Sequence, residues 1–100
     1  MAQKRIIWSE RAEFEFRNIL EYYNERNGNK KYSSKLVDAT ERVLNLILTN
    51  KYLGRLSENK TTRVINLDVF LIFYDLSENQ IEIVSFWDNR QNPKKRYDNK

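Results

Sequence analysis

Apolar residues in the first half of the chain recur at the spacing of an amphipathic helix. The first stripe comprises Ala12, Phe16, Ile19, Leu20 and Tyr23. Ser9 precedes this stripe and can cap the first turn of a helix, whereas Gly28 suits the left-handed residue that commonly follows a helix. The pattern predicts a first helix that starts after Ser9 and ends at the Asn-Gly-Asn turn, residues 27–29.

A second apolar stripe follows this turn directly and predicts a second helix over about residues 30–49. Its members are Leu36, Ala39, Val43, Leu44 and Ile47. Because the connection between the two helices is very short, they are predicted to form an antiparallel hairpin.

The pattern changes to that of β-strands from residue 61 onward, where Val, Ile, Phe and Tyr are frequent. Two polar breaks divide this stretch into predicted strands at 61–66, 69–75 and 80–87. Tight turns join them, so neighbouring strands must run antiparallel. Residues 5–9, which are also β-branched and aromatic, predict a short N-terminal strand.

These elements predict an α+β fold of order β-α-α-β-β-β. It combines an N-terminal strand, a helical hairpin and a three-stranded antiparallel meander that forms one sheet packed on the helices, with the other face of the sheet open. Residues 50–60 are predicted to be a loop that pivots at Gly54. Because Ile81, Ile83 and Phe86 cannot share one face under strict alternation, we expect a bulge or burial on both faces in the last strand.

A chain of 100 residues is expected to hold one domain. Strand geometry must stop at Pro93, the only proline. We therefore expect a single domain at residues 1–93 and a basic C-terminal tail at residues 94–100.

The composition excludes several kinds of chemistry. The chain has no cysteine and no histidine, so it cannot build a Ser-His-Asp set, a Cys-His pair or the usual zinc site, and its two glycines form no phosphate-binding loop. We expect neither a metal nor a cofactor. The apolar runs are too short for a signal peptide or a membrane span, so we expect a soluble cytoplasmic protein without membrane contact.

The net charge of +4 is distributed unevenly. Residues 50–63 hold four cations and one anion, residues 64–87 hold four anions and no cation, and residues 88–100 hold five cations and two anions. If the fold brings the two basic blocks together, they form one positive face. The alternative is an ordinary basic surface.

Three arginines stand out as candidates for binding an anion or a carboxylate-bearing partner, namely Arg55, Arg63 and Arg90. If Val64 and Phe70 face the helices, Arg63 faces the open side of the sheet. The alternatives are an exposed Arg63 that pairs across the sheet with an acidic residue and an Arg90 that is simply part of the tail.

The order and spacing of four segments resemble the RelE/ParE family of toxins from type II toxin–antitoxin systems. These segments are Gly54-Arg55, Arg63, the Phe-Leu-Ile-Phe-Tyr strand at 70–74 and Asp-Asn-Arg-Gln-Asn-Pro at 88–93. The resemblance covers nearly the whole chain and implies a protein that inhibits growth and stabilises plasmids. The ending Asn-Arg-Gln-Asn-Pro at 89–93 looks more like the ParE branch, whose members bind DNA gyrase and block it after DNA cleavage.

For a ParE-like toxin, the resemblance points to basic residues as the target-binding surface. These are Arg55, Arg63, Arg90, Lys94, Lys95 and Arg96. The alternative is a RelE-like toxin that cleaves mRNA in the ribosome without a metal. Its candidate catalytic residues are Arg63, Arg90, Lys60 and Tyr97, with Lys51 as a further lysine. The lysine cluster of such nucleases is not reproduced, and no histidine replaces it.

The resemblance also implies a cognate antitoxin that wraps around the toxin as a helix and an extended chain. The basic surface suits an acidic wrapping segment, and the amphipathic first helix offers a groove for an antitoxin helix. An interface of that size predicts nanomolar or tighter association.

Overall fold

The computed structural model describes residues 5–99 and confirms the α+β order that the sequence predicts. The chain runs through β1 (Arg5–Trp8), α1 (Glu10–Asn27), α2 (Lys31–Thr49), β2 (Arg55–Leu56), β3 (Arg63–Leu67), β4 (Phe70–Leu76), β5 (Gln80–Asp88) and one 3-10 turn (Pro93–Lys95). The prediction of a continuous loop over 50–60 is wrong, because two of its residues form β2. A strand of two residues is too short to show an alternating pattern.

Helix α1 begins and ends where the sequence predicts. The Oγ atom of Ser9 accepts a hydrogen bond from the backbone N–H of Ala12 at 3.0 Å, and Gly28 has a φ of 67°. The same hydroxyl donates to the carbonyl of Val84 at 3.3 Å, which ties the start of α1 to β5.

The five strands form one sheet in the order β1-β5-β4-β3-β2. Strand β1 runs parallel to β5, and the other neighbours are antiparallel. A parallel pair needs a long crossover connection. The helical hairpin begins this connection, and it packs on the sheet chiefly through contacts of α1 with β5.

A bulge in β5 explains the crowded apolar pattern of that strand. Phe73 pairs with Ser85 whereas the next residue of β4, Tyr74, pairs with Ile83, so Val84 is an extra residue in β5. This shift allows the residues on both sides of the bulge, Ile83 and Phe86, to face the same core. The expected bulge and burial on both faces are therefore both present.

Each face of the sheet carries its own apolar cluster. Phe70, Ile72 and Tyr74 of β4 pack on the helix side. Leu71 and Phe73, which alternate with them, pack on the second side, where Tyr97 covers the cluster. The expectation of an open second face is thus wrong at its centre, because the segment after Pro93 folds back onto it.

Candidate functional site

An open groove of about 530 Å³ lies between α1 and the end of β5. It is lined by the exposed aromatic side chains of Phe14 and Tyr22 and by the buried Phe86 and Trp87. Phe14 and Tyr22 lie off the apolar stripe of α1, so they do not contribute to the core. The apolar stripe did not predict these two residues, although exposed aromatic residues on the polar side of an amphipathic helix indicate a binding surface.

Arg90 lines this groove and is held in one position by two partners. Its Nε and Nη2 atoms donate to the two carboxylate oxygens of Asp88 at 2.9 and 2.7 Å, and Nη2 also donates to the hydroxyl of Tyr23 at 2.5 Å. The hydrogen bonds from Arg90 keep the pKa of Asp88 below its ordinary value, and those to Asp88 and Tyr23 raise the pKa of Arg90. The guanidinium is therefore charged, ordered and still 55% exposed.

Arg63 does not face the second side of the sheet, so that prediction is wrong. Its neighbour Val64 packs in the cluster on the second side, whereas Ile65 packs on the helix side. Because every second residue of a strand faces the same side, Arg63 lies on the helix side with Ile65. Its Nη1 donates to the carbonyl of Gly54 at 2.6 Å, and its guanidinium lies 4.9 Å from the centre of the Tyr52 ring. Arg63 thus fixes the loop that precedes β2.

Tyr74 holds the same loop from the core. Its hydroxyl accepts a hydrogen bond from the N–H of Gly54 at 2.8 Å and donates to the carbonyl of Lys51 at 3.0 Å. Burial raises the pKa of Tyr74, so it remains a neutral phenol. Together with Arg63, it makes the Gly54-Arg55 segment part of the structural framework of the sheet edge.

The two basic blocks of the sequence do come together. Asp98 accepts hydrogen bonds from Arg96 at 2.6 and 3.0 Å and from the backbone N–H of Glu58 at 3.3 Å. This contact joins residues 50–63 to residues 88–100. Because Asp98 and Glu58 lie at the meeting point, the surface there carries both signs of charge. The proposed domain boundary at Pro93 remains a prediction.

The Arg96–Asp98 pair predicts an acid-dependent loss of stability. Burial alone would raise the pKa of Asp98, but its hydrogen bonds to Arg96 and to the Glu58 N–H outweigh burial and lower this pKa. Because the pKa of Asp98 is lower in the folded chain, its ionised carboxylate stabilises the fold at pH values above its unfolded pKa of about 4. This stabilisation is lost as the pH falls through the pKa of the folded chain. We expect Asp98→Asn to remove roughly 1–2 kcal/mol at pH 7 and to flatten the pH dependence of urea unfolding below pH 4. An unchanged pH profile would contradict this role.

The candidates for RNA cleavage do not converge. In the sheet, Arg63 of β3 lies opposite Tyr74 of β4. Asp88 of β5, whose carboxylate holds Arg90, lies opposite Phe70 of β4, which is four residues from Tyr74. That offset is about 13 Å along the strand direction. Tyr97 packs on the second side against Phe73, with a ring separation of 6.0 Å.

Three of the remaining basic candidates, Arg55, Lys60 and Arg96, line one pocket of about 210 Å³ on the second side of the sheet, where Glu58 and Asp98 add negative charge. Lys60 occupies a left-handed turn position, with a φ of 64°. Lys94 and Lys95 lie on the 3-10 turn, and the Nζ atom of Lys51 lies 5.3 Å from the Tyr52 ring. Arg55 hydrogen-bonds Asn66 at 2.9 Å. None of the helices within residues 5–99 is long and apolar enough to cross a membrane.

The fold and the groove define a small α+β protein that presents an ordered arginine and exposed aromatic side chains on an open surface. Residues 6–93 match the family model of the ParE toxin of the type II toxin-antitoxin system, parDE. The chain therefore belongs to the ParE toxin family, and it is the toxin component of a toxin–antitoxin system whose partner is a cognate antitoxin.

A solved structure supports the fold assignment. The chain titled "Chromosomal ParDE TA system from P. aeruginosa" superimposes with a TM-score of 0.72 at 19% sequence identity, covering 84% of this chain and 94% of that chain. At this identity the similarity concerns the fold. No curated protein sequence matches the chain.

Proposed function

We propose that this toxin acts in the cytoplasm by binding DNA gyrase through the groove between α1 and β5, and that it stalls the enzyme after DNA cleavage. The observation that carries this proposal is the fixed, exposed Arg90 beside Phe14 and Tyr22. Ordered arginines and aromatic residues dominate the energetics of protein–protein interfaces. Membership in the ParE family supports gyrase as the target.

The proposed action requires no bond breaking by the toxin. A ligand that binds one state of an enzyme more tightly than another shifts the population toward that state. A toxin that binds gyrase more tightly when the DNA is cleaved therefore causes broken DNA to accumulate. Because Asp88 and Tyr23 hold Arg90 before binding, less conformational entropy is lost when the complex forms.

The same groove explains how an antitoxin can neutralise the toxin. A helix of the antitoxin that lies along α1 would cover Phe14, Tyr22 and Arg90, and gyrase would be excluded by competition. The exposed Lys94 and Lys95 add positive charge near β5 and favour an acidic partner.

Purified toxin mixed with gyrase and relaxed plasmid tests the proposal. We expect loss of supercoiling and accumulation of DNA covalently bound to gyrase, while mRNA in cells that express the toxin stays intact. Rapid arrest of translation with mRNA cut at codon boundaries, and no trapped gyrase, would overturn the proposal in favour of the nuclease.

The nuclease is the weaker candidate because its proposed residues are dispersed. Burial, together with the carboxylates of Asp75 and Glu82, raises the pKa of Tyr97, so this phenol is a poor general base near neutral pH. Arg63 is engaged with the Gly54 carbonyl, and Arg90 with Asp88. A cleavage site requires its acid, base and cations around one phosphate.

A further inference from the structure

We propose that the part of gyrase bound by the toxin is an extended, acidic segment that adds to the free edge of β5 inside the groove between α1 and β5. This inference rests on the proposed function and deepens it, because it names the kind of segment that the groove takes. It is supported by an unpaired strand edge, by unused hydrogen-bond donors and by a cation without a carboxylate partner.

The outer edge of β5 is paired along only part of its length. Strand β1 lies beside residues 80–83, and beyond them β5 has β4 as its only strand neighbour within residues 5–99. At Phe86 the Oε1 atom of Glu15 takes the place of a neighbouring strand, because it accepts a hydrogen bond from the Phe86 N–H at 3.1 Å. A carboxylate of the toxin itself therefore already binds one position of this edge.

Two further backbone groups of this edge are free. The Asn89 N–H donates toward β4, to the Val69 carbonyl at 2.9 Å, whereas the Phe86 N–H points toward α1. Because alternate residues of a strand direct their backbone groups to opposite edges, the Phe86 carbonyl and the Asp88 N–H also point away from β4. No hydrogen bond within residues 5–99 uses either group. A free acceptor and a free donor two residues apart are the groups with which an added strand pairs.

The side chains of the groove add donors without acceptors. Arg90 uses Nε and Nη2 to bind Asp88 and Tyr23, so the N–H groups of Nη1 have no partner in the part of the chain that the structure describes. The indole N–H of Trp87, which lines the groove and is only 7% exposed, likewise has no partner among the described residues. A buried donor without an acceptor is unfavourable, so a partner that supplies the acceptor gains affinity.

The charge balance of the groove favours a carboxylate on the partner. The two carboxylates that line the groove are already paired, Asp88 with Arg90 and Glu15 with another arginine of α1. Arg26 also lines the groove but has no carboxylate partner within residues 5–99, and its Nη1 donates to the hydroxyl of Tyr22 at 3.2 Å. Arginine binds carboxylates through charge-assisted hydrogen bonds, so an Asp or Glu of the partner complements Arg26 and the free side of Arg90.

A protein segment fits the groove better than the DNA that gyrase holds. A phosphodiester backbone supplies acceptors for the two arginines but no N–H for the Phe86 carbonyl. An extended peptide supplies both backbone groups, and every second side chain can pack on the exposed Phe14 and Tyr22.

The test uses the full-length toxin with complete gyrase and DNA. Arg26→Glu should raise the toxin concentration that gives half-maximal trapping of gyrase at least about tenfold, because it places a carboxylate against the acidic segment. The matched variant is Arg42→Glu, since Arg42 is an exposed arginine of α2 outside the groove, and it should change little. Hydrogen exchange of the wild-type toxin should show new protection of the Asp88 amide in the complex.

A photo-crosslinking residue identifies the bound segment directly. With p-benzoylphenylalanine in place of Phe14, we expect attachment to one stretch of gyrase that contains Asp or Glu. The same residue in place of Leu48, which is exposed on α2 outside the groove, should not attach to that stretch. Attachment from position 14 to DNA, or to a stretch without an acidic residue, would overturn the inference.

The outcomes separate this inference from the proposed target. If the wild-type toxin does not trap gyrase on DNA, the proposed function fails and the inference fails with it. If the wild type traps gyrase but Arg26→Glu is as potent as Arg42→Glu, or the Asp88 amide gains no protection, the inference alone fails and gyrase remains the target.

Discussion

The Arg90→Ala toxin is expected to poison gyrase at least about 100-fold less effectively than the wild type, because a central interface arginine commonly dominates binding. The substitution removes the guanidinium that Asp88 and Tyr23 hold in position at the groove. It also leaves the Asp88 carboxylate without its main partner, facing the incoming target. The measurement is the toxin concentration that gives half-maximal trapping of gyrase on DNA.

Arg17→Ala provides the matched control for this prediction. Arg17 is 61% exposed and pairs with Glu13 at 2.7 Å, so the substitution also breaks one exposed arginine–carboxylate pair, but it lies outside the groove. Tyr23→Phe should give an intermediate loss, because it removes one of the partners of Arg90 and keeps the charge. Equal potency of Arg90→Ala and Arg17→Ala would show that the groove is not the target-binding surface.

The Gly54→Ala substitution is expected to destabilise the fold by about 2–4 kcal/mol. A Cβ atom at this position would lie 2.9 Å from the ring and hydroxyl of Tyr74 and 2.9 Å from the carbonyl oxygen of Val64. Tyr74 is fully buried, and the Val64 carbonyl belongs to β3, so neither can move without disturbing the core or the sheet. Relief of the clash would also break the hydrogen bond from Gly54 N–H to Tyr74. Urea unfolding measures the loss.

Gly28→Ala is the natural comparison, because the chain has only two glycines. No atom lies within 4 Å of a Cβ at Gly28, so its only penalty is the left-handed backbone, with a φ of 67°. That penalty is about 1–2 kcal/mol. A larger cost at Gly28 than at Gly54 would mean that the loop before β2 can shift to accommodate the added methyl group.

Local features of the sequence predicted the helices and most of the strands. Ser9 caps the start of α1 and Gly28 caps its end. Capping depends only on neighbouring residues, so the sequence could predict both ends. The crowded apolar pattern around Ile83 and Phe86 predicted an irregular β5, because alternation is also a local property. Strand ends differ from the predicted bounds by one or two residues, as is usual at frayed termini.

The arrangement of the site could not be predicted because it depends on register and on distant contacts. The side of the sheet on which Arg63 lies depends on whether Val64 or Ile65 faces the helices. A shift of the strand register by one residue would move Arg63 to the other side. The contact between Arg90 and Tyr23 joins residues that lie 67 positions apart. Basic residues in the sequence indicated candidates for a binding surface, and this remains a prediction. They did not reveal which arginine lies exposed beside aromatic side chains.

The position of β5 has a consequence for when the toxin becomes active. This strand lies between β1 and β4, yet among the strands of residues 5–99 it is the last to leave the ribosome. Until it emerges, β1 has no neighbour, and the apolar faces of α1 and β4 remain uncovered, so the nascent chain cannot complete its core. Such long-range pairing makes folding late and slow relative to synthesis. Newly made toxin should therefore be harmless until β5 has emerged, which gives an antitoxin time to meet it as it folds.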